Sequence, residues 1–519
     1  MIKRRHDDLS RVSTGIPLLD RITSGGLPKG ELYVVNGEPG AGKTVLALHF
    51  LKAGVEAGET ALCLTLSQRV ESLQQTAASV GIDSRKILFR ELSSAEALES
   101  LTARQTVFDT SEFELESTMS AFTQVIDTVK PQRVVFDSIS YLRMLANNPL
   151  SYRRQLLILR DYMASRDITV LLTDTPELAP GDKELVAIAH GVITLSIDTT
   201  AAGSDYRYLK IAKIRGSDYH QGIHNVEISD QGMQVYPLYS HPPAAEGQFL
   251  THLMSTGIPK LDDLVGGGLL SGTSCLLLGA SGLGKTTIAS LFAHHQIQQG
   301  GKASIFLFDE LPETFLKRSR GLGLNFEDSC AGDPKGDRRA SGSAPNRHPT
   351  DDPSGQFRLH ELRLGNISPG KFAYLVAQDV AWGAKVVVID SLTGYVNAMP
   401  NSKMLITQMH ELMKALSRQN VLTILVVGQR DVIGSKTEQE INISYLADTV
   451  LLLRYFEAAG TLRRAISVYK KRYGAHERGI REMKMESDGI YIGELLRQFT
   501  GILSGMPDYM GEPSELIEP

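Results

Sequence analysis

Residues 37–44 read GEPGAGKT, and residues 279–286 read GASGLGKT. Each is a Gly-x4-Gly-Lys-Thr loop with a short apolar run before it and a helix-forming run after it. In that context the spacing builds a phosphate cradle. The glycines let backbone N–H groups close on phosphate oxygens. The lysine brings a positive charge to the β- and γ-phosphates, and the threonine hydroxyl suits Mg²⁺. The candidate nucleotide-binding residues are therefore Gly37, Glu38, Pro39, Gly40, Ala41, Gly42, Lys43 and Thr44 in the first loop. In the second they are Gly279, Ala280, Ser281, Gly282, Leu283, Gly284, Lys285, Thr286 and Thr287. The expected cofactors are ATP and Mg²⁺.

The likeness extends beyond the loops. STGIPLLDRITSGGLPKG (13–30) matches STGIPKLDDLVGGGLLSG (255–272), and Gly37 and Gly279 stand 242 residues apart. Apolar runs of strand length follow in step: 61–67 and 303–309, then RVVFDS (133–138) and KVVVIDS (385–391), then 169–174 and 423–429. Helical stretches near 112–129 and 371–383 lie between them. Strands alternating with helices predict an α/β fold, two tandem domains each built on a mainly parallel sheet covered by helices. The boundary is expected near 237–249, giving domains 1–247 and 248–519. Residues 329–355 are rich in Gly, Pro, Ser, Asp and Arg and almost without apolar side chains, so they read as a solvated, disordered insertion.

Composition narrows the function classes. The formal net charge is −5 over 519 residues, which argues against a broad nucleic-acid surface. The three cysteines, Cys63, Cys275 and Cys330, have no paired spacing, so neither a disulfide framework nor a zinc site is expected. No apolar run approaches the roughly 20 residues needed to span a bilayer, and the basic start lacks a signal-type apolar stretch. A cytoplasmic protein without membrane contact is the expectation.

Hydrolysis or phosphoryl transfer needs a group that orients or deprotonates the nucleophile. Asp137 and Asp390, each ending an apolar strand, suit the second Mg²⁺ contact beside Thr44 and Thr286. At the end of the strand beside the phosphate loop the two copies differ. The second has the adjacent carboxylates Asp309 and Glu310; the first has Ser67 and Gln68, and Gln68 can do no more than position water. Asp309, Glu310 and Lys285 are thus the candidate catalytic residues; the alternative for the carboxylates is a solvated pair at a helix N-terminus. Late in each half comes a Lys-x-Arg: Lys213 and Arg215, then Lys470 and Arg472. Residues two apart on a strand share a face. Such a pair is either a basic surface or, in a ring, a contact to the γ-phosphate of a neighbouring subunit.

With these elements together, the chain resembles the KaiC family, double-domain RecA-like ATPases and autokinases of circadian clocks. The resemblance rests on STGIPxLD, the two loops, FDS and IDS, the Lys-x-Arg segments and INISYLADTVLLLRYFE (441–457), and spans nearly the whole chain except 329–355. It implies a homohexameric double ring with ATP bound between subunits. It also implies that Lys213, Arg215, Lys470 and Arg472 contact ATP held by the adjacent subunit. The family's paired catalytic glutamates fall on Asp309 and Glu310. Its phosphorylated Ser-Thr pair falls on Ser444 and Tyr445, leaving Ser444 as the single expected acceptor. The segment after FTGILSGMPDYMGEP is short compared with the family's partner-binding tail. Two other readings stay open: a RecA- or RadA-type DNA-dependent ATPase, kept alive by KKRYG (470–474), and an ATP-gated assembly scaffold with little catalysis.

Overall fold

A computed structural model describes residues 10–65, 68–91, 110–146, 149–175, 183–199, 204–237, 252–326, 355–363, 367–398, 402–429, 444–458, 460–486, 489–504 and 507–511. The chain divides into two compact units, Met1–Leu238 and Tyr239–Pro519. The expected boundary at 247/248 and nearly all of the 329–355 insertion lie outside the described residues.

Each unit is organised by one nine-stranded sheet. In the first, Leu88–Glu91, Ala61–Thr65, Arg133–Asp137, Thr169–Asp174, Leu32–Gly37 and Gly191–Thr199 lie side by side in parallel. Asp205–Ile214, His224–Ser229 and Gly232–Tyr236 then extend the sheet antiparallel. The second repeats this order. Phe357–Glu361, Lys302–Leu307, Ala384–Asp390, Leu422–Gln429, Ser274–Ala280 and Thr449–Ala458 are parallel, and Thr461–Lys471, Arg481–Glu486 and Gly489–Leu495 continue antiparallel. The sheets are therefore mixed, with a parallel core as the sequence predicts and an antiparallel extension that apolar strand length alone does not distinguish.

The central strands are buried on both faces, which is why they read as continuous apolar runs. One apolar layer of the first unit packs the sheet against the helix Lys43–Glu56, with Leu46, Phe50 and Leu51 against Val35, Val135 and Leu171. The other packs Thr110–Val129 and Pro149–Ala164 through Phe122, Leu156 and Leu159 against Val34, Phe136 and Leu172. Alternate residues of one strand thus serve opposite layers. The second unit does the same with Phe292 on one side and Phe372, Tyr395 and Met409 on the other.

In an open parallel sheet the crevice for a ligand forms at the carboxyl ends of the strands. Both phosphate loops emerge there: Leu32–Gly37 leads through the loop into Lys43–Glu56, and Ser274–Ala280 into Lys285–Gln298.

A candidate nucleotide site in each unit

Each loop turns into its helix through a left-handed glycine. Gly42 has φ 102° and Gly284 has φ 89°, conformations that L side chains rarely adopt. A Cβ on Gly42 would meet Ile228 Cδ1 at 2.6 Å, and one on Gly284 would meet Met485 Sδ at 2.6 Å. The glycines are thus required twice over, for the turn and for the close approach of the neighbouring strand.

The lysines fold back over their loops. Lys43 Nζ donates to Gly37 O at 2.6 Å and Glu38 O at 2.9 Å. Lys285 Nζ donates to Gly279 O at 2.8 Å and Ala280 O at 2.6 Å. Burial lowers the pKa of each ammonium, while Asp137 in the first unit and Asp390 in the second pull it back up. Both carboxylates therefore lie close enough to act on the loop electrostatically.

Those carboxylates end the strands Arg133–Asp137 and Ala384–Asp390. Thr44 Oγ1 donates to Asp137 Oδ2 at 2.8 Å, and Thr286 hydrogen-bonds Asp390. Thr173 Oγ1 donates to the other oxygen of Asp137 at 2.5 Å. Burial pushes the Asp390 carboxyl up; the Thr286 bond and the Arg318 charge act against it, and Glu310 and Asp309 act with it. A hydroxyl and a buried carboxylate side by side are hard oxygen donors, the set that Mg²⁺ takes beside substrate phosphates. The residues present therefore fit a Mg²⁺-nucleotide in both units.

In the second unit the loop borders a cleft of about 650 Å³, shared by Lys285, Thr286, Asp309, Arg318, Asp390 and Ser391 among others. Asp309 and Glu310 lie just beyond the strand Lys302–Leu307, ahead of the helix Pro312–Gly321. Asp309 Oδ2 accepts a hydrogen bond from Ser391 Oγ, which itself accepts from Gly394 N at 2.9 Å. Glu310 Oε2 accepts from Arg318 Nη2 at 2.7 Å. The structure thus brings Asp309 into the cleft with the loop. It adds two residues the sequence reading did not single out, Ser391 and Arg318. Ser391 follows Asp390 directly; Arg318 stands eight residues after Glu310, on the helix that starts beside it. In the first unit Ser67 lies outside the described residues, and Gln68 is exposed, its backbone exchanging hydrogen bonds with Thr65.

The Lys-x-Arg pairs are placed elsewhere. Lys213 pairs with Val192, which pairs with Val34, three residues before Gly37. Lys470 pairs with Val450, which pairs with Leu276, three residues before Gly279. The antiparallel strand carries each lysine away from the loop, and the following arginine farther still. Both strands end before the arginine, at Ile214 and at Lys471, so the shared strand face expected from the spacing stops short of it. Arg215 instead donates to Ala187 O at 2.6 Å, and Arg472 pairs with Asp448 at 3.1 Å. Lys470 donates to Ala447 O at 2.8 Å. Residue 444 opens a 3₁₀ turn, Ser444–Leu446, at this same end of the sheet.

A family model described as "ATPase: KaiC" matches residues 12–240, 254–334 and 367–497. The chain belongs to the KaiC ATPase family. It is 25% identical to the circadian clock oscillator protein KaiC of Acaryochloris marina over 510 residues, covering 96% of this chain and 92% of the relative. It is 26% identical to KaiC of Thermostichus vulcanus over 509 residues, covering 96% and 92%. It is 23% identical to the circadian clock protein KaiC3 of Synechocystis sp. over 525 residues, covering 99% and 97%. The KaiC resemblance carried by the loops and the repeated segments is thus a family membership, and the tandem RecA-like architecture accords with it. Among the described residues no helix is long and apolar enough to cross a membrane, and no cluster of three or more His, Cys, Asp or Glu side chains is placed to hold a metal alone.

Proposed function

We propose that this KaiC-family chain is an ATP-binding and ATP-hydrolysing protein that works as a homohexameric double ring. In this reading the second unit carries most of the turnover and transfers phosphate to Ser444 of a neighbouring copy, in a signalling or timing role. The relatives' names, which speak of circadian clocks, support the timing part.

The observation that carries the proposal is the separation of each loop from its basic pair. The phosphate loop sits at the carboxyl end of its strand, while Lys470, Arg472 and Ser444 sit at the other end of the same sheet. Lys470 is displaced from Gly279 by three residues of strand, about 10 Å, and by two strand spacings, about 10 Å more. A site that needs both ends is completed by a second copy, as an arginine finger supplied in trans completes one.

Bound Mg²⁺ would supply charge compensation at the phosphates. Thr286 and Asp390 would hold it, and Lys285 would lie over the β- and γ-oxygens. Asp309, oriented by Ser391, and Glu310 are the groups that would accept the proton of water or of the incoming hydroxyl. In the first unit the same loop, threonine and aspartate bind nucleotide without an equivalent carboxylate pair, so its role is chiefly to hold the ring.

Mass spectrometry after incubation with Mg-ATP, with light scattering on the same sample, tests the reading. A hexamer carrying phosphate on Ser444 is expected. A monomer with and without ATP sinks the ring. An assembled protein that neither turns over ATP nor gains phosphate is the scaffold reading instead, and turnover that rises on adding DNA is the recombinase-type one.

A further inference from the structure

Arg318, which borders the second cleft, belongs to a charge pair of which the first unit has neither member at the matching positions. Glu310 and Arg318 are joined at 2.7 Å. The positions 242 residues earlier are Gln68 and Thr76. The carboxylate and the guanidinium are present together in one copy and missing together in the other.

Asp309, which borders the cleft, and its neighbour Glu310 are held by different chemistry. Asp309 accepts from a neutral hydroxyl, that of Ser391. Glu310 accepts from a cation that itself borders the cleft with Lys285, Thr286 and Asp390. The Arg318 side chain is 36% exposed, so this pair adds little to the stability of the fold. Its Nε is buried and has no hydrogen-bond partner among the described residues. Only Nη2 serves Glu310, so the five-donor guanidinium keeps further N–H groups beside the cleft it borders. A planar fork of this kind matches a phosphate as well as it matches a carboxylate.

We propose that Arg318 is a terminal-phosphate sensor supplied by the same chain that holds the nucleotide. Without a terminal phosphate its guanidinium engages Glu310. With one it turns to the phosphate oxygens, and the Glu310 carboxylate becomes free to accept a proton from water or hydroxyl. The exchange breaks and forms hydrogen bonds only; no covalent bond changes. A diphosphate offers no terminal phosphate to compete, so it leaves Glu310 engaged. The inference rests on the reading that this cleft binds and hydrolyses ATP. It goes beyond that reading by naming the group that makes the base available only when substrate is present.

The test is equilibrium binding of a non-hydrolysable ATP analogue and of ADP to the full chain, each variant read against wild type, so that the first site stays constant and the change reports the second cleft. Glu310→Gln removes the competing charge, and the analogue is expected to bind several-fold tighter with ADP unchanged. Arg318→Ala is expected to weaken the analogue about tenfold, the size of one charge-assisted hydrogen bond, with ADP within about twofold. The double variant should match Arg318→Ala, because without the arginine nothing competes. Arg318→Lys, which keeps the charge and loses the fork, should fall between and guards against misfolding of the alanine variant. Equal shifts for analogue and ADP, or additive effects in the double variant, overturn the inference. Turnover lost in Glu310→Gln without any change in the analogue-to-ADP ratio overturns it while leaving the catalytic reading standing. The expected ratios with turnover unchanged remove the catalytic reading and keep Arg318 as a phosphate contact.

Discussion

Thr44 Oγ1 lies 2.8 Å from Asp137 Oδ2, joining the first turn of one helix to the end of a strand 93 residues later. The contact fixes the spacing between loop and strand to which a metal-bound nucleotide must fit. Thr44→Ala and Asp137→Asn are each expected to weaken Mg-ATP binding at the first unit by roughly tenfold, on the scale of a lost bond to a charged group. Because the two act as one donor set, the double variant should be little worse than either single one. Calorimetric titration with Mg²⁺ and with a chelator checks this; a purely additive pair would separate the two residues.

At the other end of the sheets, Lys213, Arg215, Lys470 and Arg472 are expected to govern assembly. Binding that favours the assembled form stabilises it by mass action. Lys470→Ala and Arg472→Ala should leave the fold intact, since Arg472 is exposed and Lys470 lies outside the fully buried core. They should also raise the ATP concentration needed for ring formation about tenfold or more. Light scattering across an ATP titration gives the number, and an unchanged midpoint in both variants would count against a role in trans.

Turnover should divide unevenly between the units. Replacing a general base typically costs 10²–10⁴ in rate. Glu310→Gln is expected to remove most ATP hydrolysis by the assembled chain, whereas Gln68→Ala should remove a small remainder. Assays restricted to variants that still assemble decide it. A larger loss from Gln68→Ala would reverse the assignment.

Acid should loosen the first unit through one buried ring. His49 is 6% exposed, and its Nε2 accepts from Met233 N at 2.9 Å. Burial, aided by the Lys52 charge, lowers its pKa from 6.5 to about 4. The folded state thus prefers neutral imidazole, so its contribution is full above pH 6.5 and is lost as the pH falls towards 4. Between pH 7 and 5 the loss is about 2 kcal/mol. Carboxylates titrate nearby, so the measurement is a difference. Urea-dependent hydrogen exchange of the Lys43–Glu56 helix should fall more steeply with acid in wild type than in His49→Gln, and parallel slopes would exclude His49.

Much of this was legible in the chain because the loops and apolar strands are local signals. The phosphate loops, Asp137, Asp390 and the internal repeat each announce themselves within a few residues. What the sequence left open depends on pairings between distant segments. The antiparallel extension places Lys470 opposite Val450, and no periodicity within 470–472 says which end of the sheet that is. A basic residue late in a short helix is ordinary, so nothing in the sequence marks Arg318; only the turn from strand to helix brings it back to Glu310. Ser391 reads in the sequence as part of a strand-end motif, and its hydroxyl gains a partner only because the fold brings Asp309 within reach.

The distance between each phosphate loop and its own basic pair carries a consequence for mixtures. In the ring proposed above, a chain disabled at Lys285 and a chain disabled at Lys470 would each lose second-unit activity alone, since every interface in either population would lack one half. Mixed together, some neighbours present an intact loop to an intact lysine, and a fraction of the activity returns. In the proposed ring one faulty copy would spoil the interface on one side or the other according to which end is faulty, and never both for a single lesion. The unit that selection sees would then be the seam between two molecules, not the molecule.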